Sequence, residues 1–416
     1  MKTKALLILI LCFVSVLSFG SGYELKNSEI KIVFSQEGNN IWVSDIRDEK
    51  QGISFLNETN VKEPVWTLKV KKDGDYAGEE IILFPKDAGE VKTETEKESI
   101  VFRWSDVKSS DMETGFDVEA KITLSGNNSY WDINISENKE YGFWSVVYPA
   151  FSPLDTENNR LMVPFRGGRF YDNYDFDWYY QNPIFLQLMS LTKGKSTLYL
   201  CPENLSSSMI YYRIKALGEG NSEYYIENIP GNIAKAGIDY KQSYRFNLAV
   251  VGGDWFDAAK KYRKWGIENN YAPFSHGKLE TRKDLPKWWK EMSSCVRWFP
   301  FIGDVGKQRV LDTQKFLGLP ILAHAYGWSE FIMDTTYPNF LPQRENVIPD
   351  IEEFHKNNIY VMPYVNAHIT DIKNSAIAHA LGDAILNFDE KGEVRDTPWQ
   401  KNIARNVVSC PTPQYK

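Results

Sequence analysis

Two short stretches late in the chain concentrate the side chains best suited to chemistry. Residues 324–328 read His-Ala-Tyr-Gly-Trp, and Asp334 and the pair Tyr337-Pro338 follow. Residues 363–368 read Pro-Tyr-Val-Asn-Ala-His, with Asp371 just beyond. In extended chain, alternation puts His324, Tyr326 and Trp328 on one side, and Asn366 with His368 on one side. Such a set combines flat aromatic faces with imidazole, amide and carboxylate groups. Aromatic faces match the C–H faces of a pyranose, and the polar groups match its hydroxyls. Tyr326 and Trp328 are therefore read as a stacking platform and Asp334 as an acceptor. Asn366 and His368 are read as groups that orient hydroxyls. His368 beside Asp371 also has the pattern of an imidazole oriented by a carboxylate, the logic of a general base. The structural alternatives are a satisfied core histidine at His324, turn formers at Asp334 and Asn366, and a solvated His368.

Other chemistries lack their motifs. His324, His368, Asp334 and Asp371 have no tight ligand spacing of the H-x-x-x-H kind, so no metal site is expected. No cofactor is expected either. Gly303-Asp304-Val305-Gly306-Lys307 has the wrong spacing for a phosphate cradle. Asp175-Phe176-Asp177 imitates a D-x-D element, and alone it says little.

The elements around these stretches read as α/β. Ser293–Phe299, Ile321–Tyr326 and Ile359–Val365 are candidate strands, with Val407–Cys410 as a fourth. Asp304–Leu317 is a helix stopped by Gly318 and Pro320. Ile348–Asn357 is a second helix with Pro349 in its first turn. Strands two and three are apolar on both sides, as parallel strands covered on both faces should be. The alternation implies βαβ units, and chemistry then belongs at the strand C-terminal ends. The long connection Ser329–Val347 is of a length that usually carries function.

Residues 23–250 read as β. Alternating runs recur with turn signals between them: Glu29–Phe34, Asn40–Ile46, Val65–Lys71, Glu79–Phe84, Ser99–Trp104, Phe116–Leu124 and Tyr130–Ser136. Gln187–Thr192, Ser196–Cys201, Met209–Ala216 and Ser243–Val251 continue the pattern, which predicts a large antiparallel sandwich. Residues 254–270 switch to helical spacing, with Trp255, Ala258, Ala259, Tyr262 and Trp265 on one face and Asp254 as N-cap. The aromatic-rich stretch from Arg166 to Tyr180 is expected to pack under a neighbouring element or to shape one wall of its cleft. A stand-alone sugar-binding surface is the alternative.

Bulk properties narrow the partners. Lys2 and Lys4 precede an apolar run, Ala5–Leu17, and small residues follow, which is the pattern of a secretion signal cleaved near residues 20–22. No later stretch is apolar enough to span a bilayer. Without the signal's two lysines the formal charge moves from −7 to −9. That argues against a nucleic-acid partner, since phosphate binding needs a basic surface. Aromatic residues make up 14% of the chain, an excess that suits sugar stacking as well as core filling. Cys201, Cys295 and Cys410 are too few and too scattered for a disulfide framework, and Cys295 and Cys410 are expected to be buried thiols.

The motifs Gly253-Asp254-Trp255 with Tyr262-Arg263-Lys264-Trp265, then Tyr326-Gly327-Trp328, Asp334 to Tyr337-Pro338, and Pro363-Tyr364-Val365-Asn366 resemble a family of secreted bacterial proteins filed as a domain of unknown function. That family is grouped with α-galactosidase-like and endo-α-N-acetylgalactosaminidase-like barrel hydrolases. The first 250 residues resemble the galactose-mutarotase-like supersandwich that precedes such barrels. The resemblance implies a multidomain β plus α/β chain. Its parts are a signal peptide (1–22), an N-terminal antiparallel β-supersandwich (23–252), a helix and linker (253–287) and the N-terminal part of an incomplete (β/α)8 TIM barrel (288–416). It further implies a secreted or periplasmic bacterial glycoside hydrolase acting on α-linked oligo- or polysaccharides, with retention. Retaining enzymes use two carboxyl groups about 5–5.5 Å apart. The family's nucleophile would follow the fourth strand, where this chain reads Cys410-Pro411-Thr412-Pro413, so neither catalytic carboxylate can be assigned. The expectation is a chain lacking the second half of its barrel. The competing readings are a non-catalytic carbohydrate-binding protein or inactive fragment, and a hydrolase whose acid/base pair lies among Asp334, His368 and Asp371.

Overall fold

The computed structural model describes residues 22–58, 62–157, 159–165, 168–171, 176–180, 183–206, 208–271, 276–366, 369–374, 394, 396 and 405–408. The expected signal segment, His368 and Cys410 lie outside these residues. The chain divides into two compact units, Met1–Tyr271 and Ala272–Lys416. Among the described residues no helix is long and apolar enough to cross a membrane.

The first unit is built almost wholly of antiparallel strands. A large sheet carries, in neighbouring order, Ser196–Cys201, Phe246–Gly252, Asn128–Ile135, Phe116–Ser125 and Ser99–Val107. A second sheet carries Met209–Gly218, Asn221–Ile229, Tyr141–Asp155 and Thr67–Lys72. Their inner faces meet in one core with a smaller sheet that includes Ile30–Glu37 and Asn40–Asp48. Period-2 burial shows why: Phe116–Ser125 alternates buried Phe116, Val118, Ala120, Ile122 and Leu124 with outward polar residues. Trp66 meets Trp104 edge-on at 5.4 Å, and Trp131 meets Phe151 edge-on at 5.3 Å. Edge-to-face pairs of this kind add about 0.5–1.5 kcal/mol each beyond their buried area.

The helix Trp255–Glu268 belongs to this unit and packs on the strands Met189–Lys193 and Ser196–Cys201. Asp254 caps it as expected, accepting from the Phe256 N–H at 2.8 Å, and Asp257 returns the bond to the Asp254 N–H. Of the aromatic stretch after residue 166, Phe170 packs edge-on against Trp255 at 5.6 Å.

The second unit contains a parallel three-stranded sheet in chain order: Ser294–Trp298, Ile321–Ala325 and Ile359–Pro363. Helices Asp304–Leu317 and Val347–Lys356 connect them. Gly318 takes the left-handed conformation (φ 65°) and its N–H bonds to Gln314 O, ending the first helix where the sequence places its stop. Both helices cover the same side. Trp298, Ala323, Ala325, Ile359 and Phe354 form its small core.

Three expectations are corrected here. The sheet is covered by these helices on one face, so its third strand is not buried on both sides: Met362 and Pro363 are exposed. Cys295 points to the uncovered face and is exposed rather than buried. The run near Val407 does not extend the parallel sheet. Asn406–Val408 pairs antiparallel with Ile369–Asp371 in a separate two-stranded ribbon. A run as short as Asn406–Val408 carries no information about its partner, and here it pairs with Ile369–Asp371.

Candidate functional site

The uncovered face of the parallel sheet holds the residues of alternate register. Arg297, His324 and Met362 lie side by side on the three strands. One step toward the strand N-termini, Tyr360 is plugged by Trp288, whose ring stacks on it at 4.2 Å. The row above is left open and leads to the strand C-terminal ends.

At those ends an aromatic wall forms. The Tyr326 N–H bonds to Trp298 O at 2.8 Å and the Tyr364 N–H to Ala325 O at 2.9 Å, so each strand end is clamped by its neighbour. The Tyr326 and Tyr364 rings sit 4.4 Å apart. The His324 ring lies 6.1 Å from Tyr326 and 5.9 Å from Tyr364. Asn366 Nδ2 donates to the Tyr364 hydroxyl at 2.8 Å, while its Oδ1 accepts the Ile369 N–H at 3.0 Å. The amide therefore both fixes the phenol and turns the chain. Partial burial holds the Tyr364 pKa above its usual value, against the pull of the Asn366 bond.

The Ser329–Val347 connection is ordered by hydrogen bonds and by the packing of the buried Tyr337 ring on Phe340 at 4.9 Å. A bridge between Ser329 and Gln343 closes its base, and Arg344 donates through Nε to Gly327 O at 3.0 Å. Asp334 and Thr336 both have positive φ, 62° and 64°. That conformation is strained for a β-branched threonine. The Asp334 N–H donates to the Tyr337 hydroxyl at 3.2 Å, and that hydroxyl also bonds the Asp334 carboxyl. Burial raises the Asp334 pKa, and the Tyr337 bond offsets only part of the rise.

Asp371 is fully buried and serves as the loop's anchor. Its Oδ2 accepts the Thr336 N–H at 2.9 Å and Asn374 Nδ2 at 2.6 Å. Its Oδ1 accepts the N–H groups of Lys373 at 3.0 Å and Arg405 at 3.2 Å. Burial alone would raise its pKa, but these bonds outweigh burial and the net shift is downward. The carboxylate joins three segments and offsets the Thr336 strain.

Trp328 does not continue the alternation of His324 and Tyr326. The strand ends at Ala325, and Gly327 turns the chain with φ 73°, a position where a Cβ would lie 2.8 Å from the Phe301 ring. Trp328 is thereby carried to the helix-covered side. It packs on the core there, stacks on Phe340 at 6.0 Å and donates through Nε1 to Tyr364 O at 2.8 Å. A mostly aliphatic pocket of about 320 Å³ adjoins it, lined by Ala325, Leu341, Ile348, Ile351 and Val361 among others.

Of the seven residues singled out in the sequence, His324, Tyr326 and Asn366 thus gather around Tyr364. Asp334 joins them through Tyr337, whose pKa is raised first by burial and also by the nearby Asp334, Tyr364 and Tyr326. Trp328 and Asp371 support this wall from behind. His368 lies outside the described residues. Sequence reasoning missed three participants: Tyr364, Tyr337 and Arg297. Tyr364 and Tyr337 stood inside the quoted motifs, and strand alternation from His324 across the ladder would have pointed to Arg297. Among the described residues no three His, Cys, Asp or Glu side chains gather as a metal site would require.

The family model of a domain of unknown function (DUF6259) matches residues 240–412. A Bacteroides thetaiotaomicron protein named "Putative glycoside hydrolase" is 21% identical over 409 residues, covering 94% of this chain and 57% of the relative. A like-named protein of Monosiga brevicollis is 24% identical over 177 residues, 36% of this chain and 15% of its own length. The chain therefore spans little more than half of the first relative and a small part of the second. Among solved structures, the alpha-N-acetylgalactosaminidase NagBb from Bifidobacterium bifidum in its GalNAc complex superposes with a TM-score of 0.65 at 10% identity, covering 93% of this chain and 65% of that one. Its ligand-free form gives 0.61 at 9% identity, with 93% and 65% covered. These superpositions show a shared fold.

Proposed function

We propose that this chain supplies the sandwich and the first strand–helix units of a (β/α)8 barrel in a secreted, retaining glycoside hydrolase acting on α-linked glycans. The mutarotase-like character of the sandwich is part of the proposal. The reading is supported by glycoside-hydrolase-named relatives and by the parallel sheet, whose open face meets polar aromatic groups at its C-terminal ends. The observation that carries it is the clustering of His324, Tyr326, Tyr364 and Asn366 at the C-terminal ends of neighbouring strands. Tyrosine rings there stack on a sugar face, and the imidazole and amide hold its hydroxyls.

In this reading Asp334 faces the ligand as an acceptor, and Trp328 and Asp371 position the wall. The placement of His368 beside Asn366 as a hydroxyl ligand is part of the same proposal. Retention needs a second carboxylate opposite the first. Asp371 is excluded from that role by its internal bonding, so the catalytic pair is assigned to portions of the longer relatives that this chain does not cover. These 416 residues then supply glycan binding to that enzyme.

The test is an assay of the chain on aryl α-glycosides together with a titration of methyl α-glycosides. Binding without turnover is expected. Turnover lost on Asp334→Asn would move the acid/base role into this chain, and absence of any binding would overturn the glycan reading.

A further inference from the structure

Arg297 stands on the open face of the sheet, in register with His324 and one strand from it. It is exposed. Among the described residues its recorded contact is with the Tyr326 ring, 5.8 Å from guanidinium carbon to ring centroid. No carboxylate among the described residues lies within ion-pair distance of it. Three arginines of the chain hold carboxylates, Arg103 with Glu94 and Glu119, Arg213 with Glu227 and Arg282 with Asp284, whereas Arg169, like Arg297, lies over an aromatic ring. Arg297 is therefore a cation beside a wall of aromatic and amide groups, supported by an aromatic ring, while the carboxyl group of the same site, Asp334, is bonded to Tyr337.

A guanidinium over an aromatic ring keeps its edge donors free. That edge is a planar fork with five N–H groups, shaped for two oxygens of one anion. A neutral hydroxyl uses one donor and leaves the charge without a counter-ion. We propose that the strand-end site recognises a glycan bearing an anionic group, a uronic-acid carboxylate or a sulfate ester, and that Arg297 binds that group while Tyr326 and Tyr364 hold the ring. This inference rests on the glycan reading above and names its substrate class.

The experiment titrates the full chain with matched methyl α-glycosides in three forms: neutral, uronate and 6-sulfate. Wild type is expected to bind at least one anionic form about tenfold or more tighter than its neutral partner at low salt, with the preference shrinking as salt rises. Comparison of the uronate and sulfate arms identifies the anion. Arg297→Gln is expected to remove the preference, and Arg297→Lys to keep part of it, as a point charge without the fork does. Unchanged melting temperatures confirm that the variants fold. Equal binding of neutral and anionic forms by wild type, or a preference that survives Arg297→Gln, overturns the inference and leaves the glycan reading standing. No binding of any form overturns both.

Discussion

The Tyr326 and Tyr364 rings meet at 4.4 Å with an interplanar angle of 54°, although they lie 38 positions apart in sequence. They meet because the sheet is parallel and their strands are neighbours in register, Ala325 opposite Pro363. One aromatic wall is thus built from two strand ends, and neither ring alone defines the site. Replacement of either tyrosine by alanine should weaken methyl α-glycoside binding by about tenfold, roughly 1.4 kcal/mol. Titration of the two single variants and the double variant checks this. Coupling between the two losses is expected because the rings touch.

Asp371 is the clearest structural carboxylate of the unit. Asp371→Ala should cost about 2–4 kcal/mol, since several backbone N–H groups and the Asn374 amide lose a charged acceptor at a buried position. Its folded pKa is lowered, so its stabilising contribution is full above the unfolded value of about 3.9 and is lost as pH falls through the folded value. Denaturant melts of wild type and Asp371→Asn should therefore differ at neutral pH and converge under acid conditions.

Asp334 should behave in the opposite sense. Its folded pKa is raised by burial, so the folded state holds the proton more tightly. Wild type should lose stability relative to Asp334→Asn as pH rises from about 4 through the folded pKa. The same substitution should weaken glycan binding, because an acceptor-only group becomes part donor. A variant that gains stability while losing affinity marks a site residue. Parallel melts and titrations of Asp334→Asn give both readings.

Trp328 separates a supporting role from a platform. Trp328→Phe keeps a ring against Phe340 but removes the indole donor to Tyr364 O, at an expected cost of about 1 kcal/mol in stability. Glycan affinity should change by no more than about twofold. A tenfold loss of affinity with unchanged stability would return Trp328 to the platform.

Much of this was legible in the sequence where local signals agree with the fold. The helix Asp304–Leu317 follows from its glycine stop, and the strand Ser196–Cys201 from its flanking turns. The strand Tyr141–Asp155 was not legible: it is buried almost throughout, so it shows no alternation, and Pro149 and Pro153 read as breakers. Trp328 was misplaced because a single positive φ at Gly327 reverses the side to which the next side chain points. Asp371 looked like a ligand because the sequence shows a carboxylate without the backbone donors that surround it. His324, Tyr326 and Asn366 come together because each sits at or just past the end of a well-marked strand.

The most direct test of the central claim is a crystal structure of the chain soaked with a methyl α-glycoside. The account predicts a sugar ring against Tyr326 and Tyr364, with hydroxyls within hydrogen-bond reach of His324 and Asn366. A ring bound on the sandwich unit with the strand-end wall empty would contradict it.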